Sequence, residues 1–558
     1  MMKKKLAAML CLAMSSVFAF SACGGGGTKG NTGGGNTDSG NSEGMITAQA
    51  LEIEGLDSKY KPDVANIKQQ EGSIDVAILF EDAQAGWQAL ANEYERLHSG
   101  AVIVELNTTL TSSTYKDVLN TEAKDKNTKW DIVMGNLLTN QATCVNMYSE
   151  IRSKLNPYAG KNQRWVNVLN TEAWKTGSVG ESSATYILNT ENLQTAWFVN
   201  KTAMADAGVE TLPTTWNELM ELCDKMQDAG YTQPLGISLD GESVDSNQFT
   251  WLLRVYGDYY YRNEYEKIVY TNEENPNPFK LDPTATDPES SAGYKVQETK
   301  FFNLILDKDS EYYVGAESAK YKDFLSQFKK MEPYLHEHVS SKSQSDLRNM
   351  FRTQSDGKAS PQIILDYAGR GLSFANSDKI DMDFFDYPIM ESEYVGEGML
   401  LRDVGGSGGY LSILNHNSKQ NELNLDFLKF VLSPYGQSIY YDALSKTEFS
   451  PNGITTVKND LVVVPEDWKT YFETDKISFT GLSDNNEFVR NFLRYLGSVD
   501  STKLDCKIYW QQYLTGQIGT DTFAKNWHDS LMKGWKTYAN QQHWDVDCYK
   551  LYGGPLTK

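Results

Sequence analysis

Ala196-Trp197-Phe198-Val199-Asn200-Lys201 opens the stretch that decides the fold, and Leu212-Pro213-Thr214-Thr215-Trp216-Asn217-Glu218-Leu219 closes it. The first run is apolar and reads as a strand passing into a short helix from Ala203 to Gly208. In the second, Thr215 and Glu218 stand three apart, the spacing of a capping box. Trp216, Leu219, Met220, Cys223 and Met226 then recur at helical intervals, and Gly230 can supply the left-handed stop. The stretch is therefore a buried strand, a turn and a firmly capped helix. Trp216, at the first helical position, is expected to pack rather than to bind.

Working outward, Ile74 to Phe80 predicts a buried strand, and a helix follows with Trp87, Leu90, Ala91, Tyr94 and Leu97 on one face. Ala101 to Leu106 is a second strand, and a helix lies around Tyr115 to Ala123. Trp130 to Asn136 is a third strand ending in a turn. Strands alternating with helices argue for an α/β fold with a mostly parallel sheet.

The chain has 558 residues, enough for two or more lobes with their own cores. Aromatic residues make up 12%, including 32 Tyr and 12 Trp, and the formal charge is −22. Such an acidic surface repels phosphate backbones, so no nucleic-acid partner is expected. Beyond the N-terminus no segment is long and apolar enough to span a bilayer. No Cys/His spacing suggests zinc, and neither metal nor cofactor is expected. Cys144, Cys223, Cys506 and Cys548 allow three disulfide pairings; Cys223 reads as a small buried hydrophobe.

The N-terminus has its own logic. Lys3-Lys4-Lys5 precedes an apolar run from Leu6 to Phe20, and Phe20-Ser21-Ala22 leads into Cys23. A basic region, a short apolar region and small residues before a cut site mark an export signal. The cysteine at that junction resembles the lipobox of bacterial lipoproteins, which implies lipidation of Cys23 and removal of residues 1–22. An ordinary cleaved signal is the alternative. Residues 24 to 44 are rich in Gly, Asn, Thr and Ser and read as a tether. Gly25, Gly27 and Gly30 match a dinucleotide fingerprint in spelling only, with no strand before and no helix after.

The strand, Asn-Lys, short helix and Pro-x-Thr-Trp-x-Glu-Leu series resembles the extracellular solute-binding proteins of family 1, which serve ABC sugar importers. Trp130 to Asn136 is similar to that family's Asp-Ile-Val strand. Phe351 to Gly371, with Gly357-Lys358-Ala359 and Asp366-Tyr367, is similar to its Gly-Lys-Ala segment, with Tyr where Trp is usual. Gly405 to Ser433, with Phe427-Leu428-Lys429-Phe430, is similar to its return segment. The likeness covers roughly residues 72 to 540.

The resemblance implies a two-lobed, hinged periplasmic-binding-protein-like fold (type II) with a ligand cleft between the lobes. The expected layout is signal peptide 1–22, anchor, tether and extension 23–71, and lobe I over 72–190. Lobe II follows over 191–411 with a tyrosine-rich insertion at 256–350, then a lobe I return over 412–455 and C-terminal lobe II helices over 456–558. Crossings are expected near 190–197, 408–414 and 450–470. The implied partners are a carbohydrate, ABC permease subunits and, through Cys23, the outer face of the cell membrane; the chain would act as a monomer.

Ligands of open α/β sheets bind at the carboxyl ends of strands. Asp82 and Trp87 follow the first strand, and Asn136 ends the third. Trp251, Tyr256 and Tyr259 lie in the second lobe, and Asp366, Tyr367 and Arg370 follow the strand from Ile363. Gly406 and Tyr410 precede the return strand. Aromatic rings would cover a sugar's C–H face, while carboxylates, amides and Arg satisfy its hydroxyls, which cost about 1–3 kcal/mol each if buried alone. The insertion favours an oligosaccharide.

Two other readings stand beside this one. Gly405-Gly406-Ser407-Gly408-Gly409 spells a nucleophile elbow, with Asp442 and His528 following in hydrolase order, but Tyr410 to Leu414 reads as a strand where the elbow needs a helix. A glycosidase needs only a pair of carboxylates, and no pair is marked. A surface lipoprotein adhering to polysaccharide would need aromatics but no hinge.

Overall fold

A computed structural model describes residues 44–541 and His543, apart from residues 126, 171, 172, 174–183, 241–247, 269–296, 378, 403, 473–487, 489–491 and 494–503. The signal, Cys23, the glycine tract, Tyr270, Cys548 and the side chain of Cys506 lie outside the described residues. The described residues from Met45 onward form one compact unit.

Among the described residues, ten strands form two sheets. They are β1 Gly72–Ala77, β2 Val102–Leu106, β3 Ile132–Met134, β4 Leu188–Leu193, β5 Thr195–Asn200, β6 Leu235–Gly236, β7 Ile363–Tyr367, β8 Met382–Phe385, β9 Gly406–Ile413 and β10 Ile454–Thr455. The first sheet has the order β10-β4-β9-β3-β1-β2 and the second β6-β7-β5-β8. β1 runs parallel to β2 and β3, whereas β9 is antiparallel to both β3 and β4. In the second sheet β5 is antiparallel to β7 and β8. The expected mostly parallel sheet is thus corrected to two mixed ones. Strands that enter from the other lobe, such as β9, arrive from the opposite direction.

Only Gln194 separates β4 in the first sheet from β5 in the second. β9 lies wholly in the first sheet, pairing Gly406 with Leu193 and Ile413 with Ile132. The return therefore precedes residue 406, and the expected 408–414 crossing falls inside a strand.

β5 shows why these residues make this strand. All six are buried, and alternate side chains feed different cores, as a period of two requires. Trp197 and Val199 join a core with the helices Trp216–Asp228, Gln248–Tyr261, Ala319–Lys329 and Thr520–Gln541. Ala196 and Phe198 join a second core with β1, β2 and the helices Gln84–Leu97, Ser418–Val431 and Pro434–Leu444. The capping box forms: Glu218 N–H donates to Thr215 Oγ1 at 3.2 Å, and Thr215 N–H donates to Glu218 Oε2 at 3.0 Å. Trp216, Leu219, Met220, Cys223 and Met226 are all buried, and Gly230 has φ +93°.

Residues 45–71, which the sequence left unplaced, pack on the first lobe. Ile46 N–H donates to the Ile67 carbonyl at 3.0 Å, and Leu51 N–H to Tyr435 Oη at 2.7 Å. Ile46, Leu56 and Ile67 enter the same core as Leu90.

The tyrosine-rich region is the largest departure. Tyr256, Tyr259, Tyr260 and Tyr261 lie on a helix whose residues are buried nearly all round. They fill the second lobe rather than line a groove. Asp258 on that helix is fully buried between Arg262 and Arg402.

Candidate binding cleft

β1 ends at Ala77, three residues short of the predicted strand, because Ile78, Leu79 and Phe80 turn away to line a recess of about 190 Å³. Phe80 meets the edge of Trp87 with ring centroids 6.0 Å apart. Met134 and Asn136, at the end of β3, line the same recess, as do Thr190 and Glu191 of β4 and Gly408 to Leu411 of β9. These are the carboxyl ends of β1, β3 and β4, where an open α/β sheet binds ligands. Arg370, from the turn after β7 in the second sheet, closes the far side with Ser450, Pro451 and Asn452.

Two glycines permit this geometry. A Cβ on Gly86 would lie 2.4 Å from the Tyr440 ring, so only glycine lets the helix carrying Trp87 sit this close. Gly409 has φ +58°, and a Cβ there would lie 1.8 Å from Thr190 Oγ1.

Arg370 is 6% exposed. Its Nη1 donates to Asp82, and to the Ser450 carbonyl at 2.6 Å. Glu191 accepts from Gly453 N–H at 2.9 Å. The wall thus carries two carboxylates, one guanidinium, two amides and two aromatic rings besides Phe80. A second recess of about 240 Å³ shares Ile78, Leu79 and Phe80 and continues past Gln84, Asn107, Thr108, Leu110 and Ser112.

Of the residues expected at the site, Asp82, Trp87, Asn136, Arg370 and Tyr410 come together around the first recess. The others do not line it. Asp366 is fully buried and spends its oxygens on Arg348 Nε at 2.6 Å, Arg348 Nη2 at 2.9 Å, Gln344 at 2.8 Å and Tyr367 N–H at 2.8 Å. Three of these donors fall on Oδ1 and one on Oδ2, which makes this buried carboxylate a structural anchor. Tyr256 is a core residue whose hydroxyl donates to the Pro388 carbonyl at 2.7 Å and whose ring meets Trp216 at 5.2 Å. Tyr259 is buried against Tyr260. Trp251 stacks at a tilt on Tyr367, centroids 4.7 Å apart, beside the crossing where Tyr367 pairs with Thr195. Gly406 is exposed at the start of β9, and it is Gly408 and Gly409 that border the recess.

Thr190, Glu191, Ser450 and Asn452 were missed. The first two belong to β4, which the sequence did not resolve from the crossing. Ser450-Pro451-Asn452-Gly453 carries a plain turn signal that could have been placed at the sheet edge. Ser407 lies within β9, so the sharp strand-to-helix elbow is not formed. Asp442 pairs with Lys446 at 2.7 Å, while buried His528 faces Tyr313 at 3.5 Å. Among the described residues, no three His, Cys, Asp or Glu side chains group as a metal site would require, and no helix is long and apolar enough to cross a membrane.

A search of curated proteins gives no match. Among solved structures, the chain is similar to a family 1 extracellular solute-binding protein from Bifidobacterium longum subsp. infantis. Identity is 13%, coverage 83% of this chain and 100% of that one, and the TM-score 0.46. It is similar to an ABC-transporter binding protein from Bifidobacterium animalis subsp. lactis in complex with mannobiose, at 14% identity, 86% and 100% coverage and TM-score 0.45. A chitin oligosaccharide binding protein matches at 14% identity, 84% and 99% coverage and TM-score 0.49. A family profile described as bacterial extracellular solute-binding protein matches residues 77–438. With two mixed sheets, a one-residue crossing and a cleft at the strand ends, this chain belongs to the bacterial extracellular solute-binding proteins.

Proposed function

We propose that the protein captures an oligosaccharide by closing its two lobes on it, and delivers it chemically unchanged to the permease of an ABC importer. The observation that carries this reading is the composition of the recess: one wall comes from the first sheet, the other from Arg370 beyond β7 of the second. A solute touching both is bound more tightly by the closed form, and that difference shifts the population toward closure. Gln194 is the natural pivot of the first crossing. Trp87 and Tyr410 supply apolar ring surface for a sugar's C–H face, and Asp82, Asn136, Glu191 and Asn452 supply partners for its hydroxyls. The continuous second recess gives room for further sugar units, a role the tyrosine-rich insertion does not fill. The cleft is complete within one chain, in keeping with a monomer.

A lipid on Cys23 would hold the protein at the outer face of the membrane; mass spectrometry of the mature N-terminus tests that directly. The carbohydrate reading is tested by thermal shift against a glycan panel, because ligand at a hundredfold excess over Kd adds about 2.7 kcal/mol of stability. Reducing-end detection on the same samples should find no new chain ends. Cleavage would replace a binding role with a catalytic one.

A further inference from the structure

We infer that the floor of the cleft selects a neutral, hydroxyl-bearing end of the sugar and rejects a carboxylate, through Arg370, Ser450 and Asn452. This rests on the carbohydrate reading above and specifies its ligand. All three residues line the first recess. Arg370 Nε, Ser450 Oγ and Asn452 Oδ1 are each buried and have no hydrogen-bond partner among the described residues. Each such atom costs about 1–3 kcal/mol if it stays unmet, so three on residues that line one recess point to a polar group received there.

The mixture of the three defines that group. An Nε–H only donates, an amide oxygen only accepts, and a serine hydroxyl does both. A sugar hydroxyl matches them, accepting from Arg370 and donating to Asn452. A carboxylate accepts only: it would satisfy Arg370 but set its charge against Asn452 Oδ1. Charge points the same way. Arg370 is already paired with Asp82, and Glu191 lines the same recess, so the lining carries one net negative charge that repels an anion.

The backbone of this floor does not depend on the side chains to be altered. The Ser450 carbonyl accepts from Arg370 at 2.6 Å and the Asn452 carbonyl from Gly369 N–H at 3.2 Å, and both survive truncation. Ser450→Ala and Asn452→Leu therefore test recognition apart from folding. The purified full chain is titrated calorimetrically with neutral gluco-, manno-, galacto- and chito-oligosaccharides of two to five units, and with oligogalacturonides of matching length. The expected result is that a neutral series binds, the galacturonides bind at least a hundredfold more weakly, and each variant loses at least tenfold in affinity with its unliganded melting midpoint no lower than that of wild type. Wild-type affinity in both variants, or galacturonides bound as tightly as neutral chains, would overturn the assignment. Trp87→Ala is measured alongside. If it loses affinity while Ser450→Ala and Asn452→Leu do not, the floor assignment fails and the carbohydrate reading stands. If wild type binds none of the sugars, both fall.

Discussion

Arg370 bridges the two sheets to Asp82: the guanidinium stands beyond β7 of the second sheet, and the carboxylate it meets follows β1 of the first. The arginine side chain is 8% exposed and the aspartate 38%. The pair therefore ties the cleft walls together. Asp82→Asn removes the charge but keeps the shape, leaving the Arg370 guanidinium with neutral acceptors in place of an ion pair. The expected loss is about 1–3 kcal/mol in urea denaturation, together with weaker sugar binding. Unchanged stability and unchanged affinity would show that the contact couples nothing.

Two aromatic substitutions separate a residue that lines the recess from one that is core alone. Trp87 is 6% exposed and packs in the first lobe's core as well as lining the recess, so Trp87→Ala should cost stability and also lower sugar affinity at least tenfold by calorimetry. Tyr256→Phe removes only the bond to the Pro388 carbonyl, so affinity should stay and stability fall by about 1 kcal/mol. The reverse pattern would restore Tyr256 to the site.

Asp258 accepts from Arg262 Nε at 3.0 Å and Arg402 Nε at 2.8 Å, with all three side chains buried. Asp258→Ala would strand two guanidiniums inside the second lobe, at a cost of about 3–5 kcal/mol in chemical denaturation. This is a penalty for breaking the cluster, not a measure of what it adds over an apolar core.

His98 gives the first lobe a pH dependence. It is fully buried; Nδ1 accepts from Gln70 N–H at 3.2 Å, so Nε2 carries the proton toward Tyr158 Oη at 3.1 Å. Burial pushes its pKa down from 6.5 to about 4. Between those values the unfolded chain takes up a proton that the folded one refuses, so stability falls with pH across that window, by on the order of 3 kcal/mol. Asp426 accepts from Tyr94 at 2.8 Å and Tyr158 at 2.6 Å, and burial raises its pKa, which offsets part of the loss at the acid end. His98→Gln should be less stable than wild type at pH 7.5, with a gap that narrows by pH 4.5. A gap that stays constant in denaturation at the two pH values would contradict this.

The helix Trp216–Asp228 was legible down to its cap because every signal was local: an N-cap pair three residues apart, an apolar face and a glycine stop. β1, β2 and β3 were legible for the same reason, as short apolar runs bounded by turns. The tyrosines from 256 to 261 were misread, since an aromatic run looks alike in a ligand groove and in a core. Asp366 was misread because Arg348 and Gln344, which consume it, are about twenty residues away in sequence. Ser450 and Asn452 were invisible as site residues because their meeting with Arg370 depends on the packing of two sheets. Asp82, Trp87, Asn136 and Arg370, expected at strand ends because binding groups of α/β folds collect there, line one recess.

The central claim is that two lobes close on a sugar, and small-angle scattering tests it most directly. The radius of gyration of the purified protein is measured without sugar and at saturation with the tightest-binding oligosaccharide of the panel. The account predicts a smaller radius with the sugar. An identical radius in the two states, with binding confirmed in the same sample, would contradict it.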